Sequence, residues 1–228
     1  MAVKATPGGV PERLVDAAIK LLAEQGPSAI KVRAVASACG LSTMVVYSHF
    51  GGVPELTRAV ADRGFTELGR AFARIPVTDD PVMDLFAMAA ACRRLARENP
   101  HLYDLMFGLS TRATYRPDRD AGGRLSGHSP AFRDAYAHVA EACTRLVSSG
   151  RTSPAEPEVV AAQLWSFVHG FISLELADHF AEFADPLAEV LLPMGVTFCV
   201  GLGDSPERAR ASHEEAVSRY GELLREPS

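Results

Sequence analysis

The sequence predicts an all-α protein, and three observations carry that expectation. Apolar residues recur three and four apart through most of the 228 residues, and few segments alternate with period two. Prolines and glycines mostly fall between the periodic segments rather than inside them. The apolar fraction, 47%, is enough to build a core, so disorder is not the default.

The elements follow in order. In 11–25, Leu14, Ala17, Ala18, Leu21 and Leu22 fall on one helical face, with Pro11 in the first turn and Gly26 just past the end. A short second helix spans 32–39 and is closed by Gly40. Ser42 is placed to cap a third over 43–50. Pro54 opens a fourth, which runs to about residue 74 before Pro76, Thr78 and Pro81 interrupt it. Further helices are expected near 81–98, 101–111, 129–149, 157–182, 186–201 and 206–225, with Pro193 kinking the one it occupies. The stretch 112–127, RATYRPDRDAGGRLSG, is charged, glycine-rich and aperiodic, and reads as a mobile loop. No internal repeat is present. The expected organisation is a three-helix head with a helix-turn-helix over 1–53, then a larger helical bundle over 54–228.

Apolar runs such as 82–92 contain polar residues and fall short of a membrane span. The opening MAVKATPGGV lacks the apolar stretch of a secretory signal. Cys39, Cys92, Cys143 and Cys199 are scattered singly, which points away from zinc and from a disulfide framework. The reading is a cytoplasmic protein with reduced thiols. Net charge is −5, yet residues 1–75 hold 9 Lys and Arg against 6 Asp and Glu, leaving the remainder at −8. A mildly basic head on an acidic body is compatible with DNA binding, and chance fluctuation produces the same imbalance.

Two short helices joined at Gly40 have the shape of a helix-turn-helix. Val32, Val35, Ala36, Leu41, Val46 and Phe50 can pack inward, leaving Thr43, Met44, Val45, Tyr47 and Ser48 outward. In that motif the exposed face of the second helix enters the major groove. Thr43 then reaches a base or phosphate, Met44 or Val45 a thymine methyl, and Tyr47 and His49 phosphate oxygens. Lys31, Arg33 and Ser42 complete the expected DNA-contacting set. A plain helical hairpin with Tyr47 and Phe50 as core aromatics fits the same pattern.

Residues 12–60 resemble the DNA-binding region of the tetracycline-repressor (TetR) family of bacterial transcription regulators. The matching pieces are AAIKLLAEQG, VRAVASACGLS, VYSHF and Glu55-Leu56, at the family's spacing from Gly26 to Gly40 to Phe50. The resemblance implies a homodimer on a double-stranded, palindromic operator, with an all-helical body for dimerisation and effector binding. In most members a small molecule in the body releases DNA. Three departures stand out. Lys31 replaces a capping threonine or serine, Val53 replaces a phosphate-contacting lysine, and Met44-Val45 replaces a common Gly-Thr pair. A second, weaker resemblance lies in LWSFVHGFISLEL, 164–176, which is similar to the Trp-His-Gly segment of one subgroup. Trp165 and His169 share a helix face there. They suit a pocket wall or a dimer contact, and a core tryptophan beside a satisfied buried histidine fits the spacing as well.

Phe65, Phe86, Met106, Phe107, Tyr136, Trp165 and His169 are the candidate lining of an effector cavity, for a mostly apolar ligand because few buried charges are expected there. Val160, Leu164, Phe167, Phe171 and Leu174, with Leu187, Val190, Leu191 and Phe198, are the candidate dimer surface. No cofactor is expected, and neither is catalysis. There is no Gly-x-Ser-x-Gly elbow, phosphate-binding glycine loop or His-Glu-x-x-His motif. Glu98 and His101 have a di-iron spacing, but Pro100 breaks their helix. Glu175 and His179 read as a solvated face sooner than half a metal site. The alternatives are a DNA-binding regulator without an effector and a helical-bundle metal protein.

Overall fold

The computed structural model describes residues 8–107 and 129–224, so the loop expected over 112–127 lies outside the described residues. Among the described residues there are ten α-helices, one 3-10 turn, one π-helical segment and no strand. The helices are α1 (Val10–Gln25), α2 (Val32–Ala38), α3 (Thr43–Phe50), α4 (Val53–Ala73) and α5 (Pro81–Glu98). They continue as α6 (Pro100–Phe107), α7 (Pro130–Ser148), α8 (Pro157–Leu176), α9 (Leu192–Gly201) and α10 (Pro206–Leu224). The π-helical segment, Leu187–Leu191, leads directly into α9.

The chain forms two compact units, one of residues 1–67 and 99–132, the other of 68–98 and 133–228. In the first unit the apolar stripe of α1 supplies Leu14, Val15, Ala18 and Leu22 to the core. Val35 and Ala36 of α2, Val46 of α3, and Leu56, Val60 and Phe65 of α4 meet it there. From α6, Leu102, Tyr103, Leu105 and Met106 are buried. Gly64 lets α6 come close, because a Cβ at that position would collide with the Met106 side chain.

In the second unit α5 is the central helix. It is buried nearly all round, as a helix surrounded by others must be. It packs against α8 and along much of α10, and α10 also packs on α9. Charges are buried here too, against the sequence expectation. The Asp84 carboxylate accepts bonds from the Thr78 amide (3.1 Å) and hydroxyl (2.7 Å) and from Arg145 (2.7 Å). Arg93 and Glu175, both 6% exposed, pair between α5 and α8. Glu175 is therefore no part of a solvated face. Arg151 binds Asp204 through Nε (3.0 Å) and Nη2 (2.5 Å), and Asp80 through Nη1 (2.6 Å).

Two helix boundaries differ from expectation. The helix expected over 157–182 stops at Leu176 because Asp178 takes a left-handed conformation, φ 58°. The amide of His179 then donates back to the Leu174 carbonyl at 3.0 Å, closing the helix end. Asp is one of the few residues besides Gly that occupies that region readily, so no glycine marked the end. The helix expected over 186–201 divides at Leu192. Pro193 lacks an amide to donate, and the preceding turn widens into the π-helical segment. By length and composition α8 is apolar enough to cross a membrane, a test that core helices of water-soluble proteins also pass.

Candidate nucleic-acid interface and effector cavity

The α2–turn–α3 element is held from both sides. Arg13 of α1 donates through Nη2 to the Cys39 carbonyl at 3.1 Å, and the Cys39 thiol donates back to the Arg13 carbonyl at 3.3 Å. Gly40, at φ 67°, makes the reversal, and the Leu41 amide donates to the Ala36 carbonyl at 2.9 Å. Val46 is fully buried, while Leu41 and Phe50 are half-buried. The inward set therefore lies where the pattern placed it.

The outward set divides more finely. Met44 is 71% exposed and Tyr47 51% exposed. By helical geometry, Met44 and Ser48 centre the exposed face of α3, with Tyr47 and His49 on its two flanks. The Ser48 hydroxyl is turned back onto the Val45 carbonyl, at 2.9 Å. Thr43 and Val45 are half-buried, and Lys31, Arg33 and His49 are exposed. Ser42 occupies the cap position with extended backbone, but its hydroxyl makes no capping bond. Lys31 heads α2 in the same way, also without a side-chain cap. Val53, first residue of α4, is half-buried.

The candidate ligand residues are not brought together. Phe65, Met106 and Phe107 belong to the first unit, where Phe65 meets Phe107 edge-on at 5.7 Å and Phe132 at 5.2 Å. Of the other four, Phe86, Trp165 and His169 line two adjoining cavities in the second unit, and Tyr136 lines neither. One, with about 30 Å³ open to a water-sized sphere, is lined by Phe86, Leu146, Phe167, Leu191, Gly195, Phe198, Cys199 and His213 among others. Its neighbour, with about 20 Å³ open in the same sense, is lined by Phe72, Met88, Cys92, Val139, Trp165 and His169. Leu85, Ala89, Leu164 and Val168 line both. Trp165 meets His169 at a tilt of 53° with ring centres 4.2 Å apart, and meets Tyr136 edge-on at 5.2 Å. Neither cavity is lined by a carboxylate, lysine or arginine. Burial pushes the His169 imidazole down to about 3, so it is neutral near pH 7.

Four residues of the candidate dimer set, Val160, Phe171, Leu187 and Leu191, are buried within the unit, and Val190 is half-buried. Leu164, Phe167 and Phe198 turn to the larger cavity. Only Leu174 is strongly exposed, at 45%. The large apolar side chains that do face outward from α8, α9 and α10 include Val159, Met194 and Val217. Sequence periodicity also missed His213 and Gly195 as cavity residues. No local pattern joins them, because α10 and α9 meet only in the folded unit.

The carboxylates considered as metal ligands are engaged otherwise. Glu98 binds Arg94 at 2.7 Å, and Glu175 binds Arg93. Among the described residues no group of three or more His, Cys, Asp and Glu is placed to hold a metal ion.

Comparison with known proteins supplies the family. Residues 14–60 match "Bacterial regulatory proteins, tetR family", and residues 85–194 match "Tetracyclin repressor-like, C-terminal domain". The two matches together span more than half of the chain. The chain belongs to the TetR family. It is thus a DNA-binding transcriptional regulator of the helix-turn-helix type, and members of this family are regulators rather than enzymes. Among curated proteins, the uncharacterized HTH-type transcriptional regulator Rv0681 of Mycobacterium tuberculosis is 26% identical over 72% of this chain and 69% of its own length. A second, Rv1255c of the same species, is 29% identical over 52% of this chain and 55% of its own. The fold is shared with a Rhodococcus sp. RHA1 protein of unknown function, TM-score 0.68, 22% identical, covering 86% of this chain and 95% of that one. It is also shared with RolR, solved without ligand, TM-score 0.64, 16% identical, covering 89% and 96%.

Proposed function

We propose that this TetR-family protein is a homodimeric repressor released from its operator by a small, mostly apolar effector. Residues 1–53 form the DNA-binding part and 54–228 the effector-binding and dimerisation part. The observation that carries the effector is the pair of adjoining cavities with no charged lining, since a charged ligand would lose its hydration there with no counter-charge. RolR, of similar fold, has been solved in complex with resorcinol, which supports a small-molecule effector in such a body. Trp165 and His169 as wall residues support placing the chain in the Trp-His-Gly subgroup.

On the DNA side, Lys31, Arg33, Ser42, Thr43, Tyr47 and His49 take phosphate or base contacts, and Met44 and Val45 present apolar surface to base edges. The free Ser42 hydroxyl and the exposure of Met44 and Tyr47 support that reading. Dimerisation through α8 and α9 is supported by the outward Val159, Leu174 and Met194. A palindromic operator follows from two-fold symmetry, and residence in the cytoplasm follows from the DNA target. Effector binding shifts the population of body conformations and with it α4. The two α3 helices then leave the separation of about 34–36 Å that successive major grooves require.

The test is a gel-shift titration against duplexes tiling the region upstream of the protein's own coding sequence, with unrelated DNA at the same salt. A duplex bound at least a hundredfold tighter than unrelated DNA is expected. Equal affinity for all duplexes would overturn the regulator reading.

A further inference from the structure

Between α9 and α10 runs an open groove with about 560 Å³ open to a water-sized sphere, far more than either cavity holds. Leu192, Pro193 and Val196 of α9 form its apolar side, and Arg210, Glu214 and Val217 of α10 form the other. Those α10 residues recur four and seven apart, on one face of the helix. Exposed apolar side chains belong to the same region: Val217 itself, 38% exposed, and Met194, next in sequence to Pro193, 44% exposed. Arg210 and Glu214 are exposed and one turn apart, yet among the described residues neither forms an ion pair, with each other or with any other group. Their neighbours on α10 do: Arg208 lies 3.9 Å from Asp204, and Arg219 donates to Glu215 at 3.1 Å.

An arginine and a glutamate one turn apart on one helix face are self-complementary. When a second copy of that face is laid on antiparallel about a two-fold axis, each arginine meets the other copy's glutamate. We propose that the α9–α10 groove is an interface between two copies of this chain, with Arg210 facing the partner's Glu214 and Glu214 facing the partner's Arg210. The proposal rests on the homodimer reading above and extends its surface onto α10. One side of the groove is α9 itself, so the surface is continuous with the one proposed for α8 and α9. Covering Leu192, Val196 and Val217 removes apolar area from water, and the two ion pairs set the register. His213, on the same face of α10, adds no repulsion near the axis, because burial lowers its pKa and keeps it neutral at pH 7. Other occupants fit worse. An acidic peptide or anionic lipid surface drawn to Arg210 meets the Glu214 carboxylate one turn away, and a basic partner drawn to Glu214 meets Arg210.

The experiment measures the dimer dissociation constant of the full chain by sedimentation equilibrium, for wild type, Arg210→Glu, Glu214→Arg, and the double swap Arg210→Glu with Glu214→Arg. Each single change turns two attractions into two repulsions, so the dissociation constant is expected to rise about tenfold or more at low salt. The rise should shrink at high salt, which screens exposed charges. The double swap restores both pairs with their signs exchanged and should return to within about threefold of wild type. Mixed together, the two single variants should pair with each other in preference to themselves, as read by native mass spectrometry; a folding defect would not produce that preference. Single variants that dimerise like wild type, or a loss that neither the double swap nor the mixture restores, would overturn the α10 contact and leave dimerisation through α8 and α9 standing. A monomeric wild type would sink the homodimer reading and this inference together.

Discussion

Replacing Arg151 with methionine should be among the most destabilising single changes in the second unit. The guanidinium is 6% exposed and neutralises two carboxylates, Asp204, itself 5% exposed, and Asp80. Those carboxylates hold two other elements. The Asp80 Oδ1 accepts the Val82 and Met83 amides at 3.0 and 3.2 Å, capping α5, and its Oδ2 accepts the Ser212 hydroxyl of α10 at 2.6 Å. Asp204 sits in the turn between α9 and α10. Methionine matches the arginine stem in bulk but leaves buried Asp204 with no cation except the exposed Arg208, 3.9 Å away and without a hydrogen bond to it. Breaking a buried pair from one side costs about 3–5 kcal/mol, whereas replacing both partners by apolar groups is close to neutral. For a chain of 150–250 residues, each kcal/mol lowers the melting temperature by about 2–4 °C, so the expected drop is roughly 6–20 °C. Thermal melts followed by circular dichroism would compare wild type, Arg151→Met, and the double variant Arg151→Met with Asp204→Leu. The double variant should recover more than half of the loss. A drop under about 3 °C for the single change, or a double variant as unstable as the single one, would refute the view that the unpaired carboxylate is what costs.

Four further outcomes are expected. Tyr47→Phe should weaken binding to all DNA sequences about equally, by roughly 1.5–3 kcal/mol per phosphate bond lost; a change of preference confined to one base pair would show a base contact instead. Val53→Lys should steepen the log–log salt dependence of binding by about two per dimer; an unchanged slope in titrations at several salt concentrations would mean that the start of α4 does not face phosphate. Acid should destabilise the fold through His169, whose folded-state pKa is about 3 against an ordinary 6.5. The unfolded chain takes up that proton first as pH falls below 6.5, so this contribution is complete above 6.5 and is lost toward pH 3, by up to about 1.4 kcal/mol per pH unit. Urea titrations between pH 7 and pH 4 should therefore show a smaller acid loss for His169→Leu than for wild type. Light scattering at micromolar concentration should give twice the 24.4 kDa chain mass, and a monomer would count against the dimer.

The sequence by itself determined the helices and the reading head. Its apolar spacing named the α1 stripe, and Gly40 named the turn before α3, because both signals are local and repeat over a few residues. Met44 and Tyr47 could be read as outward for the same reason. A short helix that buries Val46 must expose the opposite side. Where a local rule has more than one solution, the sequence misled. Asp178 ended α8 in the role that a glycine would have advertised, and Pro193 widened the turn before it rather than kinking a helix within it. Only the tertiary structure decided which apolar residues face a cavity and which face out. Leu164, Phe167 and Phe198 carry the same periodic signal as Leu174 and Met194, yet the first three turn to the larger cavity and the last two to the outside. Periodicity tells a helix which side is apolar, and a helix with two apolar sides can bury either. The charges followed the same logic. Arg151, Asp80 and Asp204 are far apart in the chain, and no spacing rule pairs them. They meet because three connections converge, and burial leaves Arg151 and Asp204 no stable state except beside an opposite charge, while Asp80 closes the cluster from a half-buried position. His213 became a cavity residue in the same way, through the packing of α10 against α5 and α9.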